Sequence, residues 1–411
     1  MMNRKKKRGA FVRFVVRILL PLVAVLVIYL VIDFTGPGKI PLKEEEVFGL
    51  NCLRARDLLV QEFDRQDNLW ATRGMIVYRL PEGGNEFLKV AHVPTGFSIF
   101  WLRNFTLFRR ATLRPECVEL TVTGEGDLCA LSAGTIWALP AGEKKFRRST
   151  EIVHYGYGSQ GVRNDGILAT GERTVYFGEY FDNQEEDEVN LLRSTDGLVT
   201  WQKAYHFPAG DIRHIHAVQE DPYSGRIWML TGDANPASRI MWSDDHFTSV
   251  HILGSGSQMW RVCQLAFTEK AIYWGTDTSV GEMTGIFKWD RESGEITRLA
   301  DPAGAVFYGT RLKGGTVVLS TNRQGYDNEL DHRTRLWIIR EDNSVLPIEC
   351  GTWQEHRIEF WKKFAKLRFQ RDHGGPFLAI SVLNQKELPD GDLIIVDEEE
   401  LVRAVGASSA P

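Results

Sequence analysis

Three arginines stand at one repeat position in three successive stretches of chain: Arg163 in GVRND, Arg213 in DIRHIH and Arg261 in MWRVC. Guanidinium groups are planar, always charged and suited to two-point binding of a carboxylate or sulfate. Three of them converging would clamp an acid group. A tie from each arginine to a neighbouring Asp or Glu is the competing use, since paired charges occur at both kinds of place. Glu179, Asp233 and Asp277 end apolar runs next to these arginines, and Asn322 ends a fourth. Carboxyls so placed are candidates for acid–base catalysis. His214 and His216 flank Ile215, so on a strand they share the side opposite Arg213. If Arg213 faces inward, the histidines pack against the neighbouring sheet; in the other register they are bases or metal ligands. No DxDxDG loop, HExxH or CxxC occurs, so neither a resident metal nor a cofactor is expected.

The elements that must hold these residues are short strands. From Gly74 onward, runs of Val, Ile, Tyr, Trp and Phe alternate with Gly, Asp, Asn and Pro turns. Four segments align as second strands: Thr174–Tyr180, Arg226–Asp233, Ala271–Asp277 and Thr316–Asn322. Each follows a strand opening at Arg163, Arg213, Arg261 or Tyr308, at intervals of 50, 48 and 47 residues. A four-strand unit recurring every 40–50 residues marks a propeller blade. Residues 74–402 then hold six or seven blades. In such a ring the start of each inner strand and the end of each second strand face the central channel. The expected fold is all-β, a six- or seven-bladed β-propeller.

Ser194-Thr195-Asp196-Gly197-Leu198-Val199-Thr200-Trp201 resembles an Asp-box, the S-x-D-x-G-x-T-W hairpin of sialidase-like (BNR-repeat) propellers. Leu198 stands where that motif prefers Gly, and Ser243–Thr248 is a shortened relative. The resemblance implies a box on the outer rim and, in the channel, an arginine triad holding a substrate carboxylate. It also implies a tyrosine nucleophile, a role open to Tyr308. The corresponding activity is hydrolysis of an anionic, carboxylated oligo- or polysaccharide, with Arg163, Arg213, Arg261, His214, His216 and Asn322 binding it and Asp233, Asp277, Glu179 and Tyr308 carrying the chemistry. The amino-terminal arginine motif of sialidases is absent. Two other readings stand beside it: a lyase using His and Tyr next to a uronate, and a non-catalytic scaffold with a protein partner. FWKKFAKLRFQR, residues 360–371, is a basic and aromatic stretch that either grips an anionic glycan strand or forms a solvated face over a buried stripe.

Charge is unevenly spread. The chain of 411 residues has net charge −5 from 49 Lys+Arg and 54 Asp+Glu. Seven of the basic residues and no acidic one lie in residues 1–17, so the remaining 42 basic and 54 acidic residues give the rest −12. An acidic body argues against nucleic acid as a partner. The run Ile18–Ile32 carries no charge, and with its basic flank it reads as an uncleaved signal-anchor. That reading divides the chain into a cytoplasmic tail (1–17), a transmembrane helix (18–34), a partly helical stem (35–73), the propeller (74–402) and a disordered tail (403–411). It makes the chain a single-pass membrane protein with its body periplasmic, lumenal or extracellular. Five cysteines, an odd set, exclude a disulfide scaffold; either Cys117 and Cys129, which flank one strand and its turn, lie near each other, or all five are buried thiols.

Overall fold

The computed structural model describes residues 17, 20–94, 102, 104–112, 118–132, 134–152, 166–278, 283–302, 304–327, 329, 331–355, 364–371 and 374–408. Seven antiparallel sheets follow one another along the chain, five of four strands and two of five. They are the seven blades of a β-propeller. The inner strands, in chain order, are Leu59–Phe63, Glu119–Val122, Ile167–Thr170, Ile215–Glu220, Leu265–Phe267, Ala305–Arg311 and Lys366–Phe369. Five blades run outward through hairpins, so their hydrogen-bonded order matches their chain order; blades 1 and 7 also take strands from the amino-terminal residues. Most second strands are buried on both faces, as in Ile227–Thr231 and Ala271–Gly275, because each blade packs between two others. Apolar side chains fill the spaces between blades. One such layer joins Ala217, Trp228 and Leu230 of blade 4 to Leu265, Phe267 and Trp274 of blade 5.

The ring closes through its amino-terminal residues. Blade 7 has the order Lys43–Val47, Leu50–Ala55, Asp392–Asp397, Phe377–Leu383, Lys366–Phe369. Leu53 pairs with Ile395 and Ala55 with Leu393. Lys39–Pro41 adds an outer strand to blade 1. The segment 35–73, expected to be a partly helical stem, is therefore part of the propeller. Lys43-Glu44-Glu45-Glu46 lies on the exposed edge strand of blade 7, where charge blunts further pairing. Residues 403–408, expected in a disordered tail, continue the helix Glu398–Ser408. Glu398 and Glu400 at its start accept from the backbone amides of Gly314, Thr316 and Asn51.

The membrane-spanning helix is not found. Among the described residues no helix is long and apolar enough to cross a membrane. The helix Leu20–Thr35 has 16 residues, about 24 Å at 1.5 Å per residue, against a hydrocarbon core of about 30 Å. Its end is tied to the propeller: buried Asp33 is ion-paired with Arg73 of blade 1 at 2.5 Å and accepts from the Thr106 amide at 2.8 Å. The predictions of a signal-anchor, of membrane attachment and of a single-pass topology fall with it. Most of the basic tail lies outside the described residues.

Charged side chains fill part of the channel. Arg368 of blade 7 reaches past blade 1 to Glu119 of blade 2, with bonds of 3.0 and 2.6 Å. Arg371 pairs with Glu62 and donates to the Leu120 carbonyl at 2.6 Å. The stretch 360–371 is thus neither a glycan grip nor a solvated face where it is described: Arg368, Phe369 and Arg371 are buried. The described cysteines, Cys52, Cys129, Cys263 and Cys350, are buried free thiols; Cys117 lies outside the described residues. Burial pushes the Cys52 and Cys350 thiols up to about 11 and about 12, which removes them as thiolate nucleophiles.

Candidate functional site at the channel mouth of blades 3 to 5

Asp233 is the centre of the site. It follows the second strand of blade 4 and has φ +86, a left-handed conformation that a non-glycine residue adopts at a cost. Gln258 in the short 3-10 turn Gln258–Trp260 holds this backbone, donating to the Asp233 carbonyl at 3.1 Å. The carboxylate meets four side chains. Arg213 Nη1 lies 3.0 Å from Oδ2, and Arg261 Nη2 lies 3.0 Å from Oδ1. His214 Nε2 is 3.6 Å from Oδ2 and His216 Nε2 is 3.7 Å from Oδ1. Burial alone would raise the Asp233 carboxyl. The His216 hydrogen bond and the charges of His216, His214 and Arg261 reverse this and hold it far below the usual carboxylate range.

Arginine and histidine reach one point because the strand is irregular. Blade 4 opens at Ile215, and its register against the second strand shifts between Ile215 and Ala217. His216 is the bulged residue. Arg213 and His214 precede the strand, where strict alternation does not apply, and the bulge lies at His216 itself. His216 also needs Gly232, since a Cβ there would lie 2.4 Å from His216 Cε1. Both imidazoles are buried. His214 Nδ1 meets the Phe181 carbonyl at 3.2 Å and His216 Nδ1 meets the Val262 carbonyl at 3.0 Å. The Tyr180 ring lies over His214, centroids 4.2 Å apart.

The charges form an alternating ladder across three blades. Asp182 of blade 3 pairs with Arg213 at 2.8 Å, Arg213 with Asp233, Arg261 with Asp233, and Arg261 Nε lies 3.5 Å from Asp277 Oδ2 of blade 5. Each arginine therefore joins its own blade to the preceding one. The two arginine side chains remain 24% and 23% exposed. The mouth thus has a partly open cationic rim above buried imidazoles.

Other residues singled out from sequence go elsewhere. Arg163 lies outside the described residues. Tyr308 sits three residues inside its strand, Ala305–Arg311, and packs against Phe307 and Phe369. It is not at the repeat position of Arg213. Gly178 packs on Ile215 and Gly275 on Val306 in equivalent ways, which equates Arg213 with Gly304, a residue with no side chain. Glu179 Oε2 accepts from the Asn190 amide at 2.7 Å and from Asn190 Nδ2 at 2.9 Å, an intra-blade tie. Asn322 Oδ1 accepts from the Leu367 amide of blade 7. Asp277 is buried, its amide bonded to the Arg261 carbonyl at 2.8 Å. Asp182, which sequence reasoning left out of the arginine cluster, belongs to it; Tyr180, the neighbour of Glu179 at the end of its second strand, occupies the repeat position of Asp233 and Asp277.

The Asp-box turn has the bonds its residues predict. Asp196 Oδ1 accepts from the Val199 and Thr200 amides, both at 3.0 Å, and Trp201 Nε1 donates to Ser149 Oγ of blade 2 at 2.8 Å. Asp245 repeats the pattern through Ser249, whose amide donates at 2.9 Å, so that hairpin is full-length and not shortened. Leu198 and Phe247 hold φ +67 and +70 at the glycine-preferring position. Both hairpins join third to fourth strands and lie apart from the mouth.

No protein-family model and no curated protein matches the chain. The chain is similar in structure to an oligogalacturonate lyase of Vibrio parahaemolyticus, with TM-score 0.53 and 8% identity, covering 88% of this chain and 99% of that one. It is also similar to a GH74 enzyme of Niastella koreensis, with TM-score 0.52 and 13% identity, covering 85% of this chain and 53% of that one. The chain thus spans about half the length of the GH74 enzyme. A chain of a mitotic checkpoint complex matches with TM-score 0.48 and 10% identity, covering 86% of this chain and 93% of that one. The membrane-anchored, sialidase-like assignment is overturned: among the described residues no helix is long and apolar enough to cross a membrane, and the likenesses in fold are to a lyase and a GH74 enzyme. At these identities the likenesses show the fold alone, a seven-bladed β-propeller.

Proposed function

We propose that the chain processes a carbohydrate bearing carboxylate groups, at the channel mouth of blades 3 to 5. The observation that carries this reading is the convergence of two guanidiniums and two imidazoles on one conformationally strained carboxylate, with the Tyr180 ring against one of the imidazoles. The partly exposed faces of Arg213 and Arg261 suit a uronate carboxylate. The similarity of fold to an oligogalacturonate lyase and a GH74 enzyme supports a glycan-acting role in general terms.

Elimination suits these residues better than hydrolysis. Glycoside hydrolysis needs a protonated carboxyl, usually one whose pKa is raised. Asp233 is held in the opposite direction, Glu179 is tied to Asn190, and Asp277 is buried beside Arg261 and His216. In elimination a base removes the proton beside the carboxylate, the glycosidic C–O bond breaks, a C=C bond forms, and the leaving oxygen takes a proton. A cationic rim steadies the charge that grows on the carboxylate, and the Tyr180 phenol suits a proton transfer.

The test is a matched pair of oligogalacturonates, one acidic and one with its carboxyls reduced to alcohols. The expected result is binding of the acidic member alone, weakened at least tenfold in Arg213→Ala and Arg261→Ala. Equal binding of both members, or unchanged binding in both variants, contradicts the reading. A second reading draws on the same ladder: the arginines serve only to join blades, and the propeller is a scaffold. It predicts a loss of stability in both variants with no glycan binding by the parent chain.

A further inference from the structure

The two histidines have their Nδ1 hydrogens assigned by their surroundings. A carbonyl oxygen only accepts, so the contacts with Phe181 and Val262 place a hydrogen on each Nδ1. In the neutral rings both Nε2 atoms then carry lone pairs. Those atoms face each other at 3.2 Å, and the Asp233 carboxylate lies 3.6 and 3.7 Å away. Arg213 and Arg261 offset the carboxylate, and without an ion a proton lies between the two Nε2 atoms; a metal ion would replace that proton and draw all three donors together. The 3.2 Å between the imidazoles matches a small transition-metal ion, since with bonds of about 2.0–2.1 Å and tetrahedral angles donors stand about 3.3 Å apart, and one Asp233 oxygen completes a set of donors within 4.8 Å of one another. Nδ1–H bonded to a backbone carbonyl is also the usual outer support of a metal-bound histidine. Buried Asp277, with Oδ2 4.0 Å from His216 Nδ1, adds negative charge behind that ring.

We propose that His214 Nε2, His216 Nε2 and one oxygen of Asp233 bind a divalent first-row transition ion of the zinc type. Two nitrogens and one carboxylate oxygen suit Zn²⁺ and its neighbours and leave a fourth position for water or a ligand. A second grouping, His216 with Cys263 and Asp277, is less suited, because it needs the His216 Nδ1 that Val262 already engages. The ion also changes the charge of the mouth. Asp182, Asp233 and Asp277 against Arg213 and Arg261 leave one net negative charge when the imidazoles are neutral. A divalent ion makes that one net positive charge, which adds to the pull of the exposed arginine faces on an acid group.

The site is the one proposed above for glycans, yet the inference needs no glycan to hold, so the two are tested separately. The full chain, stripped with a chelator and dialysed, is titrated with Co²⁺ alone and read by visible absorption. The expected result is one Co²⁺ per chain with the intense bands of a four-coordinate ion, displaced by Zn²⁺. The double variant His214→Ala/His216→Ala is expected to lose the bands. Asp233→Asn, which keeps side-chain size, is expected to bind at least tenfold more weakly while its circular dichroism matches the parent. Absence of Co²⁺ bands in the parent chain, with imidazole NMR signals showing one proton shared between the rings, overturns the proposal. So does binding unchanged in a folded Asp233→Asn variant.

Discussion

Replacing Arg368 by Met leaves the Glu119 carboxylate inside the channel without its cation. The guanidinium is 1% exposed and the carboxylate 9%, and the pair is joined by two bonds, of 3.0 and 2.6 Å. Breaking a buried pair from one side costs about 3–5 kcal/mol, since the remaining charge keeps its desolvation without its partner. The pair joins blade 7 to blade 2, so the loss falls on the region where the ring closes. Lys203–Glu188 is the control: its side chains are 54% and 50% exposed, and such a pair contributes about 0–1 kcal/mol. Urea unfolding gives the comparison, with midpoint shifts converted through a common slope. Arg368→Met is expected to lose about 3–5 kcal/mol and Lys203→Met under about 1 kcal/mol. The double variant Arg368→Met/Glu119→Gln should be more stable than the two single losses together imply, by about 2 kcal/mol or more. A loss under about 1 kcal/mol in Arg368→Met, or strict additivity in the cycle, refutes the view that this buried pair braces the channel.

The Asp196 and Asp245 carboxyls lie at about 2, lowered first by their bonds to Thr200 and Ser249. Their folded values lie below the ordinary 3.8. Their contribution is therefore complete above that value and lost as pH falls through about 2. Melting temperature should drop less steeply between pH 4 and 2 in Asp196→Asn/Asp245→Asn than in the parent; parallel curves count against these bonds. Removing residues 1–55 deletes both outer strands of blade 7 and the added strand of blade 1. The truncated chain should lose cooperative unfolding by calorimetry, and a retained single transition contradicts ring closure as described. Gly232→Ala puts a methyl where His216 Cε1 stands. It should impair glycan binding or turnover with less effect on stability than Arg368→Met, and unimpaired activity removes His216 from the site.

The period of the propeller was visible because its four best blades each repeat one strand-and-turn pattern within a short stretch of chain. Ring closure was not, because Leu53 pairs with Ile395 across most of the chain, and an edge strand of three glutamates looks helical from its charge alone. The apolar run before residue 35 suggested a membrane span. Asp33 and its tie to Arg73 show why composition misled: a salt bridge to a distant strand is invisible in a hydropathy window. At the mouth, Arg213, Arg261, Asp233 and the His-Ile-His pair were legible as types at repeat positions. Their meeting was not, since it depends on the bulge at His216 and on Gly232. Tyr308 was misaligned because a gapless repeat count set it against Arg261, whereas packing equates Gly304 with Arg213.

The central claim is that the mouth around Asp233 acts on acidic sugars by elimination. Elimination leaves a C=C bond conjugated with the uronate carboxylate, and this absorbs in the ultraviolet; hydrolysis leaves no such bond. The chain incubated with oligogalacturonate and other uronate oligosaccharides is predicted to raise ultraviolet absorbance with at least one of them. The rise should fall by at least 100-fold in Arg261→Ala and in Tyr180→Phe. Release of saturated products only, or no turnover with any uronate, contradicts the account.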